Sequence, residues 1–335
     1  MTLVTGKSFH RRNTNLFEES PPLHTRILSP LVVAAFSSLL AAQTPTLPKV
    51  GNCNVFPADN VWNTPVDSLP VHRLSATYIS HMSPTRALHA DYNAIGGGIP
   101  YITAAASPKA SVSFTYAGES DPGPYVIPEN APIEGNGAGD AHVLSIDTTN
   151  CVLYEMYASQ HTGYLKWAAG SGAIFDLKGD GLRPNGWTSS DAAGLAVFPG
   201  LVRYSEVAAG QINHALRITF PQTQKAHVWP ARHDASSITN TGYVPMGARV
   251  RLKASFNISG YPADVQVVLK ALKKYGAFVA DNGSAWFISG VPDSRWNDSN
   301  MHKLGTILGS NFEVVDESSL MLLNSSARVA FTPAW

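Results

Sequence analysis

Two stretches of the chain place proton-handling and substrate-gripping side chains close together. The first is DAHVLSIDTTNCVLYEMYAS, residues 140–159. Asp140, His142, Glu155 and Tyr157 fall at alternate positions on either side of Asp147-Thr148-Thr149-Asn150, residue types that favour a tight turn. A hairpin turning on Thr148-Thr149 sets Ile146 opposite Cys151, Leu144 opposite Leu153, His142 opposite Glu155 and Asp140 opposite Tyr157, all on one face. An imidazole beside a carboxylate at the mouth of an apolar face suits acid/base catalysis, because the neighbouring charge and partial burial both tune the ring. Asp140 and His142 would equally suit a divalent metal. The same pair would also serve as a satisfied polar cap on a sheet edge, and the whole arrangement depends on turn register.

The second stretch is His227-Val-Trp229-Pro-Ala-Arg232-His233. An indole face stacks on a sugar ring, a guanidinium clamps a carboxylate or a hydroxyl pair, and an imidazole moves a proton. The plainer reading is a buried Trp with Arg and His satisfying loop carbonyls. His214, which opens HALRITF, and Asp176, which closes GSGAIFD, would support the site from behind. Asp191 in GWTSSDAAG and Asp281 in VADNGSAW, the latter near Trp286, would line it, although both are also natural turn residues. Any of these carboxylates could partner Glu155 in the two-carboxylate scheme of glycoside hydrolysis.

Positioning these groups requires a scaffold, and the chain reads as mainly β. Short β-type runs recur at 99–103, 111–116, 142–147, 151–157, 172–177, 214–220, 249–256 and 312–316, with Gly, Pro, Asn and Asp between them. Helical patterns are few: 71–82, 204–209, 298–304 and, most clearly, 262–275. In that last segment Val265, Val268, Leu269 and Leu272 recur at helical spacing and Gly276 stands at the C-terminal cap. Regular strand–helix alternation is missing, which argues against a doubly wound sheet or a (β/α)8 barrel. The expected fold is an antiparallel β-sandwich or jelly-roll-like single domain over about 51–320, with one late helix and a short tail, 321–335. A split at Pro199-Gly200 is the less favoured organisation.

Composition removes other classes. The 335 residues carry 24 Lys+Arg and 24 Asp+Glu, and 14% are charged against 44% hydrophobic. That is too apolar for disorder and too neutral for phosphate-tracking nucleic-acid binding. No Gly-x-Ser-x-Gly elbow, phosphate-cradling Gly-x-x-x-x-Gly-Lys or His-Glu-x-x-His occurs. The apolar stretch 27–42 is preceded by Arg11, Arg12 and Arg26 and followed by Ala41-Ala42-Gln43, the layout of a secretory signal over 1–43 with a Pro/Thr linker at 44–50. Its removal leaves 20 basic against 22 acidic residues. In an oxidising compartment Cys53 and Cys151 most simply form one disulfide; two buried free thiols are the alternative.

Taken together, GSGAIFDL, LRPNGWTSSDAAGLAVFPGLVRYSEV, INHALRITF, VWPARH, RLKASFNISGY and LKALKKYGAFVADNGSAWFISG resemble segments of a set of uncharacterised secreted bacterial proteins. The resemblance spans roughly residues 52–318. It implies export and a single domain, and carries no activity or site residue.

The sequence therefore leads to a secreted or periplasmic enzyme, a glycoside hydrolase or polysaccharide lyase, that cleaves an extracellular polysaccharide or oligosaccharide. It is expected to contact neither nucleic acid nor, once the signal is removed, membrane. His142, Glu155 and His233 are expected to handle protons, and Trp229, Arg232, Tyr157, Asp191, Asp281 and Trp286 to contact substrate. No cofactor is required in this reading. The alternatives are a non-catalytic glycan-binding or cell-surface protein, and a metal-dependent hydrolase or oxidase with a divalent ion on Asp140 and His142.

Overall fold

The computed structural model describes residues 46–105 and 108–331, which fall within one unit, Gln43–Trp335. The expected signal segment lies outside the described residues, and among the described residues no helix is long and apolar enough to cross a membrane.

The fold is mainly β, built as a sandwich-like stack of sheets with few and short helices. One four-stranded sheet runs in the order Ser171–Asp176, Val152–Tyr157, Val143–Asp147, Tyr101–Ala104. A second runs Tyr125–Val126, Lys109–Phe114, Lys166–Ala169, Gln160–Gly163. A six-stranded sheet runs Phe312–Val314, Arg249–Leu252, Ala277–Asn282, Leu216–Phe220, Phe287–Ser289, His89–Asp91.

The hairpin at the middle of the first sheet explains the layering. Side chains alternate across a strand, and here both faces are covered. Val143, Tyr154 and Met156 join Ala110, Tyr125 and Trp167 of the second sheet in one core. Leu144, Ile146 and Leu153 point the other way, into a larger core shared with Leu216, Ile218, Val250 and Val279 of the six-stranded sheet. A strand buried on both faces reads as a continuous apolar run, which is why VLSID and VLYEMY show little polar alternation. The sheets are mixed rather than purely antiparallel, because four strand pairs run parallel.

The late helix forms at Ala263–Lys274 and buries Val265, Val268, Leu269 and Leu272 completely. Gly276 follows in the left-handed region at φ 65°, where a Cβ would lie 2.4 Å from the Val250 carbonyl oxygen, so only glycine fits. Cys53 and Cys151 are disulfide-bonded, joining the first described strands to the hairpin turn. No boundary separates two halves near Pro199-Gly200: Phe198–Gly200 is a buried single turn with Gly200 close against Trp62 and Arg217. The segment after 320 is not a loose tail over its described part, since Ala327 and Val329 are core residues.

Candidate functional site

The hairpin pairs two residues away from the expected register. Leu144 stands opposite Glu155 and Ile146 opposite Leu153. The cause lies in the turn. The Asp147 carboxylate accepts the Thr149 and Asn150 amides, and Cys151 adopts φ 58°, so Thr148–Cys151 forms a four-residue connection instead of a two-residue one. A slip of two preserves the faces, so His142 and Glu155 share a side of the sheet without being cross-strand partners. His142 instead lies 5.9 Å, ring to ring, from Tyr157.

Both residues are buried, and both are committed to the segment at 188–198. Nδ1 of His142 donates to Glu134 Oε2 at 2.5 Å and Nε2 donates to the Ser190 carbonyl at 2.9 Å. A carbonyl and an ionised carboxylate only accept, so both ring nitrogens carry protons. Burial opposes that charge, but the Glu134 hydrogen bond and charge outweigh it and lift the His142 pKa to about 9. Neither nitrogen is left for a metal or a substrate. Glu155 accepts from the Val197 and Phe198 amides and from the Ser190 hydroxyl. Burial pushes its pKa up, and the amide donors pull against that. The expected proton-handling pair is therefore a scaffold: an imidazolium and a carboxyl group that hold Ser190, one by its carbonyl and one by its hydroxyl.

What they hold is one wall of a cleft of about 390 Å³. Thr188 to Ala192 line it together with Tyr116, Glu119, Asp140, Tyr157, His233 and Asp281. Ser189 accepts through its carbonyl from Ser171 of the first sheet, and the Ala193 amide donates to Ala280 of the six-stranded sheet, so this wall bridges both sheets. Gly194 makes its tight bend at φ 68°, where a Cβ would meet the Trp187 carbonyl oxygen at 2.6 Å.

Inside the cleft wall, Asp191 is fully buried and held by Arg217 through two hydrogen bonds. Arg217 is also buried, also donates to Ser289 Oγ, and reaches Asp281 Oδ2 only at 3.7 Å. Burial and then the nearby Asp191 charge push the Asp281 pKa up to about 7, against the pull of Arg217 and His142. Across the same cleft, His233 Nδ1 donates to the Ala192 carbonyl at 2.7 Å. That bond fixes the ring's orientation and sets Nε2 3.9 Å from Glu119 Oε2.

Five sequence-selected residues thus meet: Asp140, Tyr157, Asp191, His233 and Asp281. Others do not. Arg232 is buried, with its guanidinium spent on the Arg183 and Asn324 carbonyls. Trp286 is a core residue against Phe220, and its Nε1 donates to Ser83. His214 is buried against Glu206 and the Ala215 carbonyl, and Asp176 is the exposed last residue of its strand, its carboxylate accepting the Lys178 amide of the turn that follows. Trp229 lines a different cavity. Sequence reasoning missed Arg217, Glu134, Ser190 and Glu119. Arg217 was visible in principle, as a lone cation inside the apolar strand LRITF; Glu134 was not, because only the folded loop brings it to His142.

Among the described residues no group of three or more His, Cys, Asp or Glu side chains is arranged to hold a metal ion. Comparison with protein families, with curated proteins and with solved structures finds no match for the chain.

Proposed function

We propose that the cleft hydrolyses glycosidic bonds in an extracellular oligo- or polysaccharide, with Asp281 as general acid and His233 as general base. The observation that carries this reading is the placing of two differently held proton-handling groups on one cleft. Asp281 sits beside a carboxylate that already occupies the fork of Arg217, and His233 has Nδ1 held by a carbonyl and Nε2 towards Glu119 at 3.9 Å. Below pH 7 the Asp281 carboxyl retains its proton and would give it to the departing sugar oxygen as the anomeric C–O bond breaks. Water would add at the anomeric carbon and lose its proton to His233 Nε2.

The lining favours a neutral or amino sugar over a uronate. Tyr116 and Tyr157 offer aromatic faces, and Glu119 and Asp140 offer acceptors for hydroxyl groups, while among the described residues no Lys or Arg lines the cleft. A polyuronate would meet repulsion there, so hydrolysis is preferred to β-elimination. The sequence layout of a secretory signal and the disulfide support an extracellular setting.

The test is the purified protein on neutral, amino-sugar and uronic-acid glycans, following new reducing ends together with the ultraviolet absorbance of unsaturated uronates. Reducing ends without absorbance, lost in both D281N and H233A, are expected. Absorbance on a uronate would replace hydrolysis by elimination, and glycan retention without any cleavage would replace catalysis by binding.

A further inference from the structure

A second cavity, of about 550 Å³, is used by nothing argued above, and its volume lies in the range of small-molecule sites. Tyr78, Val228, Trp229, Val315 and Met321 form its walls, and Glu317 and Arg249 close its floor. The polar groups around it are largely spent within the protein. Trp229 Nε1 donates to the Ser326 carbonyl at 2.8 Å, His72 Nδ1 accepts the Leu74 amide at 3.1 Å, and the Asp316 carboxylate accepts the Ser318 amide at 3.0 Å. Arg249 donates through Nη1 to the Tyr275 carbonyl and through Nη2 to that of Val61, each at 2.8 Å, and it pairs with Glu317 Oε1 at 2.9 Å. Arg249 Nε has no acceptor among the described residues, yet the side chain is 0% exposed, so no guest in the cavity reaches it. An anion therefore finds no free donor on the floor, and a cation finds a carboxylate whose charge is already met.

What is left is mostly apolar surface, and it makes charge costly. Burial raises the Glu317 pKa to about 7 against the pull of Arg249, and lowers that of Arg249 against the pull of Glu317. A charged guest of either sign would meet the same desolvation, without a counter-ion kept for it. An uncharged ring meets none of it and gains the indole of Trp229, the ring of Tyr78 and the aliphatic groups beside them. Val228 and Met321, both more than two-fifths exposed, carry that surface out to the mouth. We infer that this cavity is a binding site for an uncharged small molecule with an aromatic body, seated against Trp229 above the closed Arg249–Glu317 pair.

Calorimetry at pH 7 with three probes of nearly one shape tests this directly: 2-naphthalenemethanol, 2-naphthalenemethylammonium and 2-naphthoate. The alcohol is expected to bind at least tenfold more tightly than either ion, and W229A is expected to weaken it tenfold or more. Because Trp229 also packs on the core, M321D and M321K serve as independent variants. On an exposed position, each replaces apolar surface at the mouth by charge, and both are expected to weaken the alcohol threefold or more whatever the sign. Sedimentation is expected to be unchanged by the alcohol. An ion that binds as tightly as the alcohol, no binding of any probe, or binding untouched by W229A and by both Met321 variants overturns the assignment. A dimer that the alcohol dissociates would give the mouth to a second copy of the chain, and overturns it too. None of these readouts depends on the cleft of Asp281.

Discussion

Arg217 grips Asp191 at two points, Nη2 to Oδ1 at 2.9 Å and Nε to Oδ2 at 3.2 Å. A guanidinium can offer that planar fork to one carboxylate at a time. Asp281, 3.7 Å away, therefore receives only what is left of the positive charge, and a cleft-facing acid is held between its protonated and ionised forms near neutral pH.

Replacing Asp281 separates activity from stability. D281N is expected to lower glycan hydrolysis by at least a hundredfold, the usual worth of a positioned acid. It is also expected to stabilise the fold at pH 8 by about 1–2 kcal/mol. The sign follows from the raised pKa: the folded state resists ionising Asp281 between its ordinary 3.8 and about 7, so the penalty is absent at low pH and complete above 7. Denaturant unfolding at pH 4 and pH 8 checks this, with the gain confined to the higher pH.

Removing the carboxylate from the buried His142 pair has the opposite sign. E134Q is expected to cost about 3 kcal/mol at pH 6, since it strands a buried imidazolium. The His142 contribution is complete below its ordinary 6.5 and is lost as pH rises through about 9. That of Glu134, whose pKa is lowered by His142 against the effect of burial, is complete above its ordinary 4.5. The destabilisation measured by chemical unfolding should therefore be greatest at pH 5–6.5 and small by pH 10.

Arg217→Lys keeps the charge and loses the fork. A single ammonium cannot satisfy both oxygens of buried Asp191, so a loss of about 1–3 kcal/mol is expected. The denaturation midpoint should fall with its slope unchanged. An unaltered midpoint would mean that the two-point contact contributes nothing.

The disulfide closes a sequence separation of 98 residues. In the chain-entropy account that is worth up to roughly 4–5 kcal/mol, so the C53S/C151S double variant should melt several degrees lower than the oxidised protein, and reductant should lower the melting temperature only of the parent.

The order of elements was legible because its signals are local. The spacing of Val265, Val268, Leu269 and Leu272 reports a helix face whatever surrounds it, and turn residues punctuate the strands. The site was half legible. Asp191, His233 and Asp281 stood out as polar groups in turn-rich segments, and the fold brings them together. The pairing of His142 with Glu155 failed because register hangs on a single conformation, the positive φ of Cys151, which composition does not encode strongly. The pairing of Arg232 with sugar failed for another reason: a loop guanidinium and a buried carbonyl find each other through tertiary packing, and its sequence neighbours carry no trace of Asn324.

The six-stranded sheet takes one edge from His89–Asp91 and the other from Phe312–Val314, with Leu216–Phe220 and Ala277–Asn282 between them. On a chain made amino-terminus first, the early edge strand therefore has no partner until Phe287–Ser289 has been made. Arg217 and Asp281 lie on those two inner strands, so their side chains meet only once Ala277–Asn282 has been made and has paired with Leu216–Phe220. Whatever chemistry the cleft performs therefore waits on that pairing.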